Sequence, residues 1–119
     1  MEKRKEIVDL SFEFALEIIS YCEQLEERKK YIIARQLLKS GTSIGANIRE
    51  AQNAESKLDF THKLKIAAKE AEETDYWLQL CEKSPSYPSP ENLSLKLKSI
   101  KRLLNSIIAT MKNKNKLTS

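Results

Sequence analysis

Apolar residues recur along this chain at intervals of three and four, the spacing of one helix face rather than the period of two of a strand. In the first segment Ile7, Leu10, Phe14, Ile18, Tyr21 and Leu25 keep 3-4-4-3-4 spacing. A second apolar row, Val8, Phe12, Ala15 and Ile19, runs beside it. Only a narrow polar strip is left, which includes Glu2, Glu6, Asp9, Glu13 and Glu27. A face this wide is more than a two-sided surface helix needs. It suits a helix packed between two neighbours of one bundle, and it equally suits a contact between copies of the chain.

The run Glu26–Lys30 supplies the first turn. A second helix follows from about Tyr31 to Asn53, with Ile33, Leu37, Leu38, Ile44, Ile48 and Ala51 as its apolar positions. Ser56, with Asp59 three residues on, is a cap for a third helix, although Asp is a weaker third member of a capping box than Glu. That helix carries Phe60, Leu64, Ala67, Ala71, Thr74, Leu78 and Cys81 at 4-3-4-3-4-3 spacing, a row suited to antiparallel bundle packing. All three prolines fall in Ser84–Pro90, the clearest loop. Ser89 then caps a fourth helix with Pro90 at its first position. Leu93, Leu97, Ile100, Leu104, Ile107 and Met111 continue the pattern.

The spacing therefore predicts an all-α, up-down-up-down four-helix bundle in one domain spanning 1–119. Its helices lie at about 3–26, 30–54, 57–83 and 90–113, with a flexible tail at 114–119. No alternating Val/Ile/Thr-rich run calls for a sheet.

The 119-residue length fits one domain. A hydrophobic content of 40% is too high for a wholly disordered chain. Two cysteines are too few for a secreted disulfide scaffold. The longest uncharged stretches, Ser40–Ile48 and Leu103–Met111, are far short of the roughly 20 residues that span a bilayer. The N-terminus has no unbroken apolar region of the secretory kind. The expectation is a soluble, cytoplasmic protein with no membrane contact.

Charge changes the picture more. The net charge of +4 is concentrated in residues 84–119, which hold seven basic groups and one acidic. On a helical wheel Lys98, Lys101, Arg102, Lys112 and Lys116 fall in one arc of about 100°, opposite the apolar row. Such a stripe can neutralise phosphates in a salt-sensitive, sequence-independent way. It can also pair with the acidic strip of the first helix. No aromatic residue lies in the expected fourth helix, 90–113, to stack on bases.

Both glycines, Gly41 and Gly45, lie four apart in the second helix, where each costs about 1 kcal/mol against Ala. The compensation is close approach of another helix; the alternative is a helix break at Gly41. Ser43, Asn47 and Glu50 share one row of this helix, and Ile66, Glu70, Glu73, Trp77 and Leu80 share one in the third. A buried carboxylate needs a partner, and Arg35, Arg49, Asn47 or a hydroxyl of the second helix is available. A register-fixing network and a polar binding pocket are both consistent with the pattern.

Catalytic patterns fit poorly. A ferritin-type di-iron site needs Glu-x-x-His on two helices, and the chain has one histidine, His62, preceded only by Asp59 at that spacing. Glu72-x-x-Asp75 matches half of a helical pyrophosphatase magnesium site, but the nearest Glu-x-x-Glu upstream, Glu23 to Glu26, is a whole helix away. No arginine precedes His62 at the spacing of toxin-type helical ribonucleases. Cys22 and Cys81 read as packed thiols, and no glycine-rich phosphate loop is present. The chain is expected to be no enzyme, with no catalytic residues, no metal, no cofactor and no identified small-molecule substrate. A metal-dependent hydrolase using Glu70, Glu73 and Asp75 is a further alternative.

The run Gln36-Leu-Leu-Lys-Ser-Gly-Thr-Ser-Ile-Gly-Ala-Asn-Ile-Arg-Glu-Ala51, with Lys63-Leu-Lys-Ile-Ala-Ala-Lys-Glu-Ala-Glu-Glu-Thr-Asp-Tyr-Trp-Leu78, closely resembles the bacterial four-helix-bundle family named for proteins encoded in intervening sequences of 23S rRNA genes. The resemblance covers about residues 3–112. It implies an up-down bundle that assembles into a homopentamer. A related accessory variability determinant of diversity-generating retroelements is a basic pentameric bundle that associates with a reverse transcriptase and nucleic acid. The resemblance marks Ser43, Gly45, Asn47 and Glu50, then Glu70, Glu73, Thr74, Tyr76 and Trp77. It brings no established activity. The resulting expectation is a non-enzymatic oligomeric bundle that binds RNA or a ribonucleoprotein through the fourth helix, with a nucleic-acid-free protein-interaction scaffold as the alternative.

Overall fold

The computed structural model describes the backbone of residues 2–118 and the side chains of residues 2–114. Four helices follow one another: α1 (Glu2–Glu27), α2 (Tyr31–Ala51), α3 (Lys57–Lys83) and α4 (Glu91–Thr118). No strand occurs among the described residues.

Each boundary has a local cause. α1 ends in a left-handed residue, Lys29 (φ 63). The Lys30 N–H reaches back to the Leu25 carbonyl at 2.8 Å and the Lys29 N–H to that of Glu26 at 2.9 Å, the paired bonds of a Schellman closure. α2 ends at Ala51, short of residues 53–54, because the N–H groups of Gln52, Asn53 and Ala54 tighten onto the carbonyls three residues back. The Ser56 hydroxyl accepts from the Asp59 N–H at 3.0 Å, as its cap role predicts, and the Asp59 carboxylate accepts from the Glu55 N–H at 3.3 Å. Before α4, Ser89 accepts from the Glu91 N–H at 3.3 Å. α4 then runs to Thr118, past the expected end near residue 113, since no Gly or Pro interrupts 91–118.

α1 packs on α2, α2 on α3, α3 on α4 and α4 on α1, and no Cα of α1 comes within 8 Å of α3, nor of α2 to α4. The four helices thus occupy the corners of a square. Lys3 near the start of α1 bonds Ser106 late in α4, and Glu50 near the end of α2 pairs with Lys63 early in α3. Successive helices therefore run in opposite directions, as loops this short require.

The α3 row from Phe60 to Cys81 is buried throughout, and Leu93, Leu97, Ile100, Leu104 and Ile107 are buried in α4. α2 passes unbroken through both glycines. A Cβ at Gly41 would lie 2.9 Å from Ile18 Cγ1, and one at Gly45 would lie 3.3 Å from the Ser11 carbonyl oxygen. The helix that approaches is α1. No described helix is long and apolar enough to cross a membrane.

Candidate interaction surfaces

The basic stripe of α4 is narrower than the wheel suggests. Lys101 lies one turn from buried Leu97 and three residues before buried Leu104, so it sits at the edge of the packed face. Its ammonium reaches Glu72 at 2.9 Å and Asp75 at 3.2 Å on α3. The bond to Glu72 holds Lys101 above the ordinary lysine range; partial burial pulls the other way, and Asp75 adds to the rise. On the opposite flank Lys96 pairs with Glu17 and lies 4.0 Å from Glu13 of α1. Its pKa too is raised, first by the hydrogen bond to Glu17. Two cations of α4 thus tie it to its neighbours. Such half-exposed pairs contribute up to about 1 kcal/mol each.

Lys98, Arg102 and Lys112 remain exposed on the outer row of α4, with Leu95, Asn105 and Ala109 between and beside them. None of the three lies within 4.0 Å of a carboxylate among the described residues. The Lys116 side chain lies outside the described residues. The expected five-cation stripe is therefore corrected: Lys101 faces α3, and three described cations are displayed.

The polar residues of α2 and α3 do not join in one network. Thr74 is fully buried and its hydroxyl lies 3.0 Å from that of Ser40, also buried. With one proton on each, Thr74 gives its own to the Glu70 carbonyl at 2.7 Å and accepts Ser40's. The other marked residues bond mainly within their own helices. Ser43 donates to the Lys39 carbonyl at 2.7 Å, and Asn47 to that of Ser43 at 2.9 Å. The Trp77 indole N–H donates to Glu73 at 3.3 Å, with Tyr76 edge-on at 5.3 Å. Glu50 lies 3.6 Å from Lys63.

Glu70 is half-buried and Glu73 exposed, so neither carboxylate needs a partner from α2. Arg49 turns the other way, its guanidinium 5.4 Å from the centre of the Phe12 ring. Asp75 faces α4 and is held by Lys101, away from Glu73 and Trp77. Among the described residues no group of three His, Cys, Asp or Glu side chains is placed to hold a metal. Ser40 was legible but missed: it follows Leu37 and precedes Ile44 and Ile48 in the core row of α2, a position that demands a buried partner.

The sharpest feature is the α1–α2 side. The second apolar row of α1 is only partly covered, with Val8 and Ala15 half-buried and Phe12 and Ile19 exposed, because α2 presents Thr42, Gly45 and Ala46 there. The result is a groove of about 270 Å³ lined by Val8, Phe12, Ala15, Gly45 and Arg49 among others. Phe12 of its α1 wall is 50% exposed; outside the groove, Leu16 and Ile19 of α1 are 54% and 42% exposed and Leu38 of α2 is 37% exposed. These four are among the large apolar side chains that the bundle leaves exposed.

Cys22 and Cys81 are buried free thiols. Burial pushes the Cys22 thiol up to about 12 and raises Cys81, which makes both inert at neutral pH. Their helices are too far apart for a disulfide, whose Cα atoms lie within about 7 Å. The Tyr21 hydroxyl beside them donates to the Pro88 carbonyl at 2.7 Å and pins the proline loop.

Comparison with known proteins adds three findings. The family model described as 23S rRNA-intervening sequence protein matches residues 3–106. A crystal structure of a protein of unknown function from the S23 ribosomal protein family of Bacteroides thetaiotaomicron VPI-5482 is 44% identical. It superposes with a TM-score of 0.84, over 90% of this chain and 98% of that one. No curated protein matches.

Proposed function

The chain belongs to the 23S rRNA-intervening sequence protein family, and from that premise we propose that it is a non-enzymatic, self-assembling four-helix bundle that acts as an interaction scaffold. The observation that carries this reading is the uncovered apolar side formed by Phe12, Leu16, Ile19 and Leu38. Water contact at these side chains is unfavourable by about 25 cal/mol per Å² of apolar surface, and a second copy supplies a cover of matching character. The family resemblance supports a pentamer. The α4 charges fit the same picture: Lys96 and Lys101 hold the bundle together and leave its outer face only moderately basic.

Light scattering at micromolar concentration tests the proposal. A mass several times 13.7 kDa supports it, five times if the ring is the state; the monomer mass refutes it.

A second reading is supported by Lys98, Arg102 and Lys112, the exposed cations of α4. In it the assembly repeats these cations as a field that binds structured RNA or a ribonucleoprotein. Titration into structured RNA at rising salt tests this reading. Absence of binding at low salt, or binding unchanged by charge reversal at the three positions, removes it.

A further inference from the structure

At the end of the bundle where α1 turns into α2, three successive cations, Arg28, Lys29 and Lys30, leave the helix. The left-handed Lys29 turns the chain there. The α3–α4 loop folds over the same end from more than fifty residues away. The Arg28 guanidinium donates to the Ser86 carbonyl at 3.4 Å, and the Lys30 ammonium lies 5.2 Å from the centre of the Tyr87 ring. Between them is a groove of about 260 Å³ lined by Lys29, Lys30, Tyr31, Ile32, Ile33 and Tyr87. Tyr31 is 52% exposed. No carboxylate comes within 4.0 Å of any of the three cations among the described residues.

This end has what α4 lacks. On α4 the cations stand without aromatic rings; here cations and rings alternate around a concavity. A single nucleic-acid strand presents the matching alternation, with a phosphate and an exposed base at each step. Sites for single strands combine a cationic track with aromatic faces. The groove falls below the roughly 300–1,000 Å³ of ordinary small-ligand pockets, so it accommodates one portion of a longer polymer. An anionic membrane would also meet the cations. Insertion, however, needs a broad apolar face, and this end offers one strongly projecting aliphatic side chain, Ile32 at 78% exposure.

We propose that the α1–α2 turn and the α3–α4 loop together form a binding site for single-stranded nucleic acid. Arg28, Lys29 and Lys30 engage phosphates, and Tyr31 stacks on a base. No residue of α4 lines this groove, so the site is distinct from the outer row of that helix.

The test is fluorescence anisotropy of the full chain with a labelled 12-nucleotide oligouridylate, from 50 mM salt upward, helicity being checked for each variant. Three phosphate contacts give a log–log salt slope of about −2. Arg28→Glu with Lys30→Glu should weaken binding at least tenfold and flatten that slope. Lys29→Gly suits the left-handed backbone and should reduce the slope by about 0.7. Tyr31→Ala should weaken binding about fivefold or more and leave the slope unchanged, since stacking releases no counterions.

No binding at 50 mM salt overturns the proposal. So does binding that survives the Arg28 and Lys30 reversals but is lost on reversing Lys98, Arg102 and Lys112, which places the contact on α4 instead. Binding to phosphatidylserine vesicles without binding to the oligonucleotide overturns it in favour of a membrane.

Discussion

Gly41→Ala separates two opposed terms that the structure puts in one place. In an unhindered helix interior the change stabilises by about 1 kcal/mol, because Ala is the better helix former. Here the new Cβ falls 2.9 Å from Ile18 Cγ1 and 3.0 Å from both Cδ1 and Cγ2. Ile18 is fully buried, and its β-branched side chain has little χ1 freedom with which to retreat. Overpacking of this kind costs about 1–3 kcal/mol. The steric term wins, and the net expectation is a loss of about 1 kcal/mol.

Urea titration reads this loss as a lower midpoint at unchanged slope. Protomer concentration must be fixed, because assembly adds a mass-action term. Ile18→Ala removes all three crowding atoms and alone costs about 2–5 kcal/mol. Adding Gly41→Ala to that variant should recover about 1 kcal/mol, which gives a coupling of about 2 kcal/mol between the sites. A Gly41→Ala protein more stable than the parent, or strict additivity with Ile18→Ala, refutes the close approach of α1 and α2.

Three other outcomes follow from the same geometry. Thr74→Val keeps the shape but leaves the buried Ser40 hydroxyl without its acceptor, and should cost about 1–2 kcal/mol in the same titration. Lys101→Met should lower stability by about 0.5–1 kcal/mol, whereas Lys98→Met should change it by less than about 0.5 kcal/mol; equal effects would mean that Lys101 is as free as Lys98. Stability should also decline at alkaline pH. Cys22 stays neutral in the fold up to about 12, while the unfolded thiol ionises near its ordinary value of about 8.5. Its contribution is complete below that ordinary value and is lost as pH rises towards 12. A flat stability profile from pH 8.5 to 11 would contradict this burial.

The four helices were readable because each core row repeats at three and four, and a helix buries what lies on one face. Turn chemistry was equally readable where it depends on one residue type, as at Ser56 and in the proline loop. The α1 pattern left two possibilities open, because periodicity shows how wide an apolar face is but not what covers it. The small residues opposite, Gly45 and Ala46, leave Phe12 half exposed, a detail of the neighbouring helix that periodicity in α1 does not carry. Lys101 was misplaced for a related reason. A wheel groups residues by angle on one helix, and only the position of α3 shows that Glu72 and Asp75 meet that edge. The joining of Arg28 and Lys30 to Ser86 and Tyr87 depends on how a distant loop folds back, and no local pattern carries that information.

The account rests on the α1–α2 side being the one through which copies meet. The direct measurement compares the solution mass of two single variants at equally exposed apolar positions, Phe12→Asp on that side and Leu95→Asp on α4, which are 50% and 59% exposed in the single chain. Sedimentation should find Phe12→Asp reduced to 13.7 kDa with its helicity intact, and Leu95→Asp still assembled. An assembled Phe12→Asp protein, or dissociation on Leu95→Asp alone, would place the contact elsewhere and contradict the account.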